Sequence, residues 1–242
     1  MDKSVRVCVD RIAGAPPAPY VVSPQTMEGL RGLPPRERIA FVTPKMWEPG
    51  RTIRIRFLEG SPKVQNKVKE MAMLWTNYAN IKFQFVNDSD ADIQIAFKQG
   101  DGSWSYIGID ANTIPTGEPT MNFGWFDENT SDEEFSRTTK HEFGHMLGCI
   151  HEHQNPADGI NWNKEVVYTD LGGSPNFWPR ETIDHNMFER YSKTITQYTE
   201  VDPKSIMMYR IPARWTTDGK SYGENVFDLS NTDKEFAKKM YP

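Results

Sequence analysis

Apolar and polar residues alternate most cleanly in three short stretches. Ile53, Ile55 and Phe57 alternate with polar neighbours between Arg51 and Leu58, and the runs Ile81–Val86 and Ala91–Phe97 repeat the pattern. A period of two predicts strands with one face turned to a core. A fourth strand is expected over Thr120–Phe126, short, apolar and rich in aromatics. Helical spacing takes over at Val64, Val68, Met71 and Trp75, after Ser61 as N-cap and Pro62 in the first turn. Asp132, Glu133 and Glu134 open a second helix, where acids complement the positive end of the peptide dipoles. Past residue 151 the chain is loop-rich, with a short helix expected over Asp184–Tyr191. A last helix is expected to begin near Thr232, capped by Ser230 or Asn231. A strand, a helix, further strands and a second helix give an α+β domain.

Seven prolines (16, 17, 19, 24, 34, 35 and 44) leave residues 1–44 without periodic pattern. They are expected to form an extended segment lying on a single domain of residues 45–242, a size that buries a substantial core. Charge adds little to this picture. The net charge is -5, and lysines and arginines are scattered and outnumbered by acids, so no nucleic-acid footprint is expected. No apolar run approaches the roughly 18 residues of a membrane helix. Met1–Cys8 lacks the apolar stretch of a secretory leader, and Cys8 and Cys149 are the only cysteines. Both features favour synthesis as a reduced, cytosolic protein, with signal-independent export or a removed leader as the alternatives. Nothing demands more than a monomer.

The chemistry concentrates in His141-Glu142-Phe143-Gly144-His145-Met146-Leu147-Gly148-Cys149-Ile150-His151. On a helix, His141 and His145 lie one turn apart on one face, so both imidazoles reach a single ion. Gly148 adopts positive φ without steric cost, ends the helix and returns His151 as a third ligand. Three ligands leave an open position, the mark of a catalytic rather than a structural zinc. Glu142 stands where a carboxylate takes a proton from a zinc-activated water. HExxH alone would often be an amphipathic helix with two surface histidines; the full HExxHxxGxxH pattern is far more specific. His153 and His185 lack ligand spacing and read as structural or surface residues.

This motif resembles the signature of the metzincin metallopeptidases, and Ser205-Ile206-Met207-Met208-Tyr209 resembles their Met-turn. Glu152, directly after the third histidine, and the tyrosine closing the Met-turn are similar to the astacins, as is Gly102–Gly108. That family usually has a cysteine where this chain has Ser103. The run His153–Asp158 departs from the family, and Leu229–Phe236 looks instead like the entry to the matrixin C-terminal helix. The resemblance implies a metzincin-type fold: a twisted mixed sheet with two long helices up to residue 151, then a loop-rich C-terminal part, residues 152–242, with a final helix. It implies one catalytic Zn2+ on His141, His145 and His151, with Glu142 as base and a protein or peptide substrate. Tyr209 is implied as a movable ligand that stabilises the oxyanion, with Met207 as the floor of the site. Glu152 often meets the mature N-terminus in that family; its partner here is left open.

From the residues, Thr120–Phe126 is the candidate edge strand on which an extended peptide would pair antiparallel. Cys8 and Asp10 are candidates for holding the enzyme latent by occupying the open metal position, against a plainly packed N-terminal segment. Two other functions stay open: a zinc hydrolase with a narrow, dedicated peptide substrate, and a non-catalytic zinc-binding module. Retention of Glu142 argues against the second, since a structural site has no use for a base.

Overall fold

The computed structural model describes residues 9–11, 41–155, 159–173, 177–189, 196–197 and 201–242. Its strands are β1 (Val9–Arg11), β2 (Phe41–Val42), β3 (Thr52–Phe57), β4 (Lys82–Phe85), β5 (Ile93–Ala96), β6 (Ser103–Tyr106), β7 (Met121–Phe123) and β8 (Thr196–Gln197). Its helices are α1 (Pro62–Ala72), α2 (Asp132–Met146), α3 (Lys164–Gly172), α4 (Arg180–Ile183) and α5 (Asn231–Met240). The main sheet is mixed and runs β1-β6-β7-β5-β3-β4; β2 pairs separately with β8.

The three alternating stretches form β3, β4 and β5, all parallel, and β3 reaches β4 through a helix. Every residue of β5 and β7 is buried, because both lie inside the sheet. Ser61 caps α1, its hydroxyl accepting from the Val64 N–H, and Pro62 supplies the first turn. Val64 and Val68 turn inward; Trp75 is buried one turn beyond the helix, in a 3-10 segment. Helices α1 and α2 pack against each other, and α2 also lies along β6. Phe143 of α2 meets Phe83 of β4 at 5.5 Å, and Phe135 meets Phe126 at 4.6 Å.

Two apolar clusters result. The first holds the sheet, α1 and α2 and extends to Ile206, Met207 and the inner face of α5. The second gathers Val167, Leu171, Ile183, Met187, Met208, Tyr209 and Trp215. The histidine motif runs along the first, while Tyr209 belongs to the second.

Three expectations need correction. The strand in Thr120–Phe126 is not an edge: β7 pairs parallel with β5 on one side and antiparallel with β6 on the other. β6 runs antiparallel to β7, and its Ser-Trp-Ser-Tyr sequence has polar residues at alternate positions that are nonetheless buried. Its far side is covered by β1, in parallel register from Val9 opposite Trp104 to Arg11 opposite Tyr106. The helix expected from Asp184 begins earlier, at Arg180, and widens into a π-turn over Asp184–Phe188; Tyr191 lies outside the described residues. The 3-10 turn over Gly108–Thr113 and helix α3 are additions to the expected elements, since both carry weak apolar periodicity. Cys8 lies outside the described residues.

Candidate active site

Helix α2 presents His141 and His145 inward, and its end brings His151 to them. After Leu147, Gly148 takes φ 104°. Its N–H bonds the His145 carbonyl at 2.8 Å, and the Cys149 N–H bonds the Gly144 carbonyl at 3.0 Å. These bonds satisfy carbonyls that a helix end leaves without partners. The same turn places the Cys149 carbonyl 2.9 Å from His145 Nδ1. A carbonyl only accepts, so Nδ1 carries a proton, and in the neutral ring Nε2 is then the nitrogen that can ligate. His141 is fixed in the same way by the Ile206 carbonyl, 2.8 Å from its Nδ1.

The three Nε2 atoms lie 3.1 to 3.2 Å apart. Tetrahedral ligation with Zn–N near 2.05 Å requires about 3.3 Å between ligand nitrogens, so the triad is already close to zinc geometry. Among the described residues it is the group of side chains able to hold an ion. Burial, reinforced by the other two imidazoles, pushes the His141 pKa well below its ordinary value, which favours the neutral ligand form. Three buried imidazoles whose Nε2 atoms converge fit a soft-to-borderline dication with nitrogen ligands. Glu142, on the same helix, is fully buried.

The Met-turn closes the site from below. Ser205 and Met208 form the turn, with the Met208 N–H on the Ser205 carbonyl at 3.0 Å. Met207 lies directly under α2 at Gly144, and its carbonyl accepts from the Glu152 N–H at 3.0 Å. Tyr209 is buried, its ring centroid 4.0 Å from that of His151. His153 is buried as well, not a surface residue; it stacks on Tyr209 at 4.4 Å and shares its Nε2 with the Asn186 carbonyl at 2.8 Å. His185 is half-exposed and pairs with Glu189 away from the triad.

Glu152 finds its partners within the chain. Its Oε1 accepts from Asn155 Nδ2 and from the Asp202 N–H, both at 3.0 Å. Burial, only partly offset by those two hydrogen bonds, pushes its pKa up to about 8.

Residues that hold this site from behind carry fainter marks in the sequence. Asp233, in the first turn of α5, accepts from the Ser205 hydroxyl at 2.7 Å, the Ile206 N–H at 2.9 Å and the Ser230 N–H at 2.7 Å. It thereby joins the helix cap to the Met-turn, and through the Ile206 carbonyl to His141. Its signal is Ser230-x-x-Asp233, a capping-box spacing. Trp75 Nε1 donates to the Lys140 carbonyl at 2.9 Å, Trp47 Nε1 to that of Met146 at 2.7 Å, and the Tyr241 hydroxyl to that of Leu147 at 2.5 Å. No local pattern announces these, because each joins residues far apart in sequence.

Comparison with known proteins agrees with this geometry. A family model described as Astacin, a peptidase family, matches residues 42–241. The chain belongs to the astacin family. Two solved structures of myroilysin are similar to it. One is 50% identical with a TM-score of 0.82, covering 84% of this chain and 98% of that one. The other is 40% identical with a TM-score of 0.68, covering 99% and 92%. High choriolytic enzyme 1, a hatching enzyme zinc-protease of Oryzias latipes, shares the fold at 19% identity and a TM-score of 0.54, over 81% of this chain and 94% of that one. Interstitial collagenase of Bos taurus is 29% identical over 99 residues, 36% of this chain and 21% of the collagenase, so the match spans about a fifth of that curated relative. An astacin-type peptidase uses one catalytic zinc, and this astacin has a three-histidine site that fits it.

Proposed function

We propose that this astacin is a metalloendopeptidase that cleaves extended protein or peptide segments, with His141, His145 and His151 as zinc ligands. Glu142 serves as general base and Tyr209 as donor to the developing oxyanion. One observation carries the reading: three imidazole nitrogens converge to ligand spacing, with a buried carboxylate on the same helix and a tyrosine against the third ring. When bound, zinc supplies a Lewis acid that acidifies water and polarises the scissile carbonyl. Glu142 accepts the proton of the attacking water and delivers it to the leaving amine. Tyr209 donates its hydroxyl proton in a hydrogen bond that strengthens as charge builds on the carbonyl oxygen. Met207 and Asp233 do no chemistry; they keep His141 and the floor in place.

The test is cleavage of a complex peptide library by the zinc-loaded protein beside Glu142→Gln. Many cut sites, lost in the variant while its zinc content is unchanged, are expected. Zinc-loaded parent and a form lacking residues 1–40 that both cut nothing would overturn the endopeptidase reading in favour of a dedicated small substrate or a binding role.

The pairing of β1 with β6 favours a second statement, about control. The strand order makes β6 the edge that an incoming peptide would join, and β1 occupies that edge in parallel orientation. A substrate pairing antiparallel has to displace it. The N-terminal segment therefore acts as a brake. Removal of residues 1–40 is expected to raise kcat/KM, and Cys8→Ala and Asp10→Ala to differ from each other in basal activity. Equal activity of all three forms with the parent removes the brake.

A further inference from the structure

Arg137 stands half-buried on the metal helix α2, one turn before His141, and no step of the proposed reaction uses it. We propose that Arg137 is a positioning residue: it fixes the turn at Gly223 and, through that turn, the place of Tyr209 beside the zinc ligands. The proposal rests on the reading of Tyr209 as oxyanion donor and adds to it the means by which that donor is held.

The link begins with backbone packing. Gly223 takes φ 62°, and its α-carbon lies hard against the end of the Met-turn. A β-carbon there would stand 2.3 Å from the Tyr209 carbonyl oxygen and 3.1 Å from that of Met208. Both the left-handed turn and the missing side chain are thus required. Just before it, Tyr222 exchanges both backbone hydrogen bonds with Ile211, at 2.9 and 3.0 Å, so the two segments lie side by side. Close-packed interiors transmit displacement. A shift of Gly223 therefore moves Tyr209 or opens a gap beside it.

Arg137 supplies the other half of the link. Its Nη1 donates to the Gly223 carbonyl at 3.1 Å and to the Val226 carbonyl at 3.4 Å. A guanidinium keeps its charge at any working pH and holds its N–H groups in fixed directions, so it places these carbonyls relative to the helix. Neighbouring side chains extend the grip along the same segment. The Ser136 hydroxyl donates to the Phe227 carbonyl at 2.6 Å, and Lys140 Nζ to Asp228 Oδ1 at 2.8 Å. Arg137 differs from both in that its acceptor, Gly223, is the residue that touches Tyr209. His141 follows on the same rigid helix, its ring centroid 6.1 Å from that of Tyr209. The helix thereby sets the first ligand directly and the facing tyrosine through Arg137 and Gly223. A charge effect is the rival account. Burial chiefly, and the charge of Arg137 to a smaller degree, disfavour protonation of His141. That route does not pass through the Tyr209 hydroxyl.

The experiment measures kcat and KM of the zinc-loaded protein for Arg137→Met, Gly223→Ala and Tyr209→Phe, and for the first two each combined with the third. Arg137→Met is expected to lower kcat by about 10- to 100-fold with KM nearly unchanged, as for a slightly misplaced catalytic group. Gly223→Ala should act in the same direction; if it does not fold, Arg137→Met alone carries the test. In the Tyr209→Phe background both effects are expected to vanish, because the hydroxyl whose place they set is gone. Effects that persist in full in that background overturn the assignment, as does Arg137→Met with the parent's kcat or with lost zinc. Those results leave the donor reading intact. Tyr209→Phe at the parent's kcat overturns the donor reading, and the assignment with it. Affinity for a phosphinic peptide, whose tetrahedral oxygens stand in for the intermediate, is measured on the same variants. It should fall in the same non-additive pattern, which judges the geometry even where the parent turns over too slowly to follow.

Discussion

Gly144 and Met207 meet so closely that a β-carbon on Gly144 would lie 2.3 Å from the methionine sulfur. The glycine inside the histidine motif is therefore a matter of clearance: the helix lies directly on the Met-turn. Gly144→Ala is expected to cost about 1–3 kcal/mol through overpacking, despite alanine's better helix propensity. It should also weaken zinc binding, since Ile206, beside the displaced methionine, orients His141. Denaturant titration and competition with a chelator measure both. Adding Met207→Ala should recover part of the loss; strictly additive effects would contradict direct contact.

Asp233 is buried and accepts three hydrogen bonds from the Met-turn and the α5 cap. Asp233→Ala leaves the Ile206 and Ser230 N–H groups without these acceptors. The expected loss is about 2–4 kcal/mol of stability and about 10- to 100-fold in zinc affinity. Normal zinc affinity in a destabilised variant would confine Asp233 to helix capping.

Tyr209 packs against both His151 and His153, with ring centroids 4.0 and 4.4 Å away. Tyr209→Phe keeps that packing and removes only the hydroxyl. A fall of about 10²- to 10³-fold in kcat with little change in KM is expected for an oxyanion donor. A loss confined to KM would make it a binding residue.

The pH dependence of stability should carry the signature of Glu152. Burial holds its pKa at about 8, against about 4.3 in an unfolded chain. Between those values the folded form keeps the proton and the unfolded form releases it, so stability falls as pH rises. The contribution is complete below about pH 4 and gone above about pH 8, on the order of 5 kcal/mol in all. A dication beside His151 favours the carboxylate, so the slope belongs to the zinc-free protein. Glu152→Gln, which mimics the protonated form, should flatten it in denaturation curves measured from pH 5 to 8. An unchanged slope assigns the proton elsewhere.

Local chemistry makes much of the fold readable. Ser61-Pro62, the acids at 132–134, Gly148 and the Ser230 cap each act within one helical turn, and each element starts or stops where they indicate. The three histidines are readable for the same reason, since spacing along a helix fixes their direction. β6 escapes because Ser103 and Ser105 are polar yet buried, so alternation gives no contrast. The placement of Thr120–Phe126 at an edge fails on topology: the strand is real, but its neighbours β5 and β6 are set by the path of the whole sheet.

The tie from Asp233 through Ile206 to His141 also bears on the order in which the molecule is made. On a ribosome, the histidine motif emerges well before the residues that orient its first imidazole. Until α5 has formed and docked, the motif is three loosely held imidazoles on an unfinished helix. Such a chain binds metal weakly and lacks its floor and its tyrosine. The metal site is therefore completed only when α5 docks on the Met-turn, so the motif's own residues gain their full geometry from chain that follows them by about ninety positions.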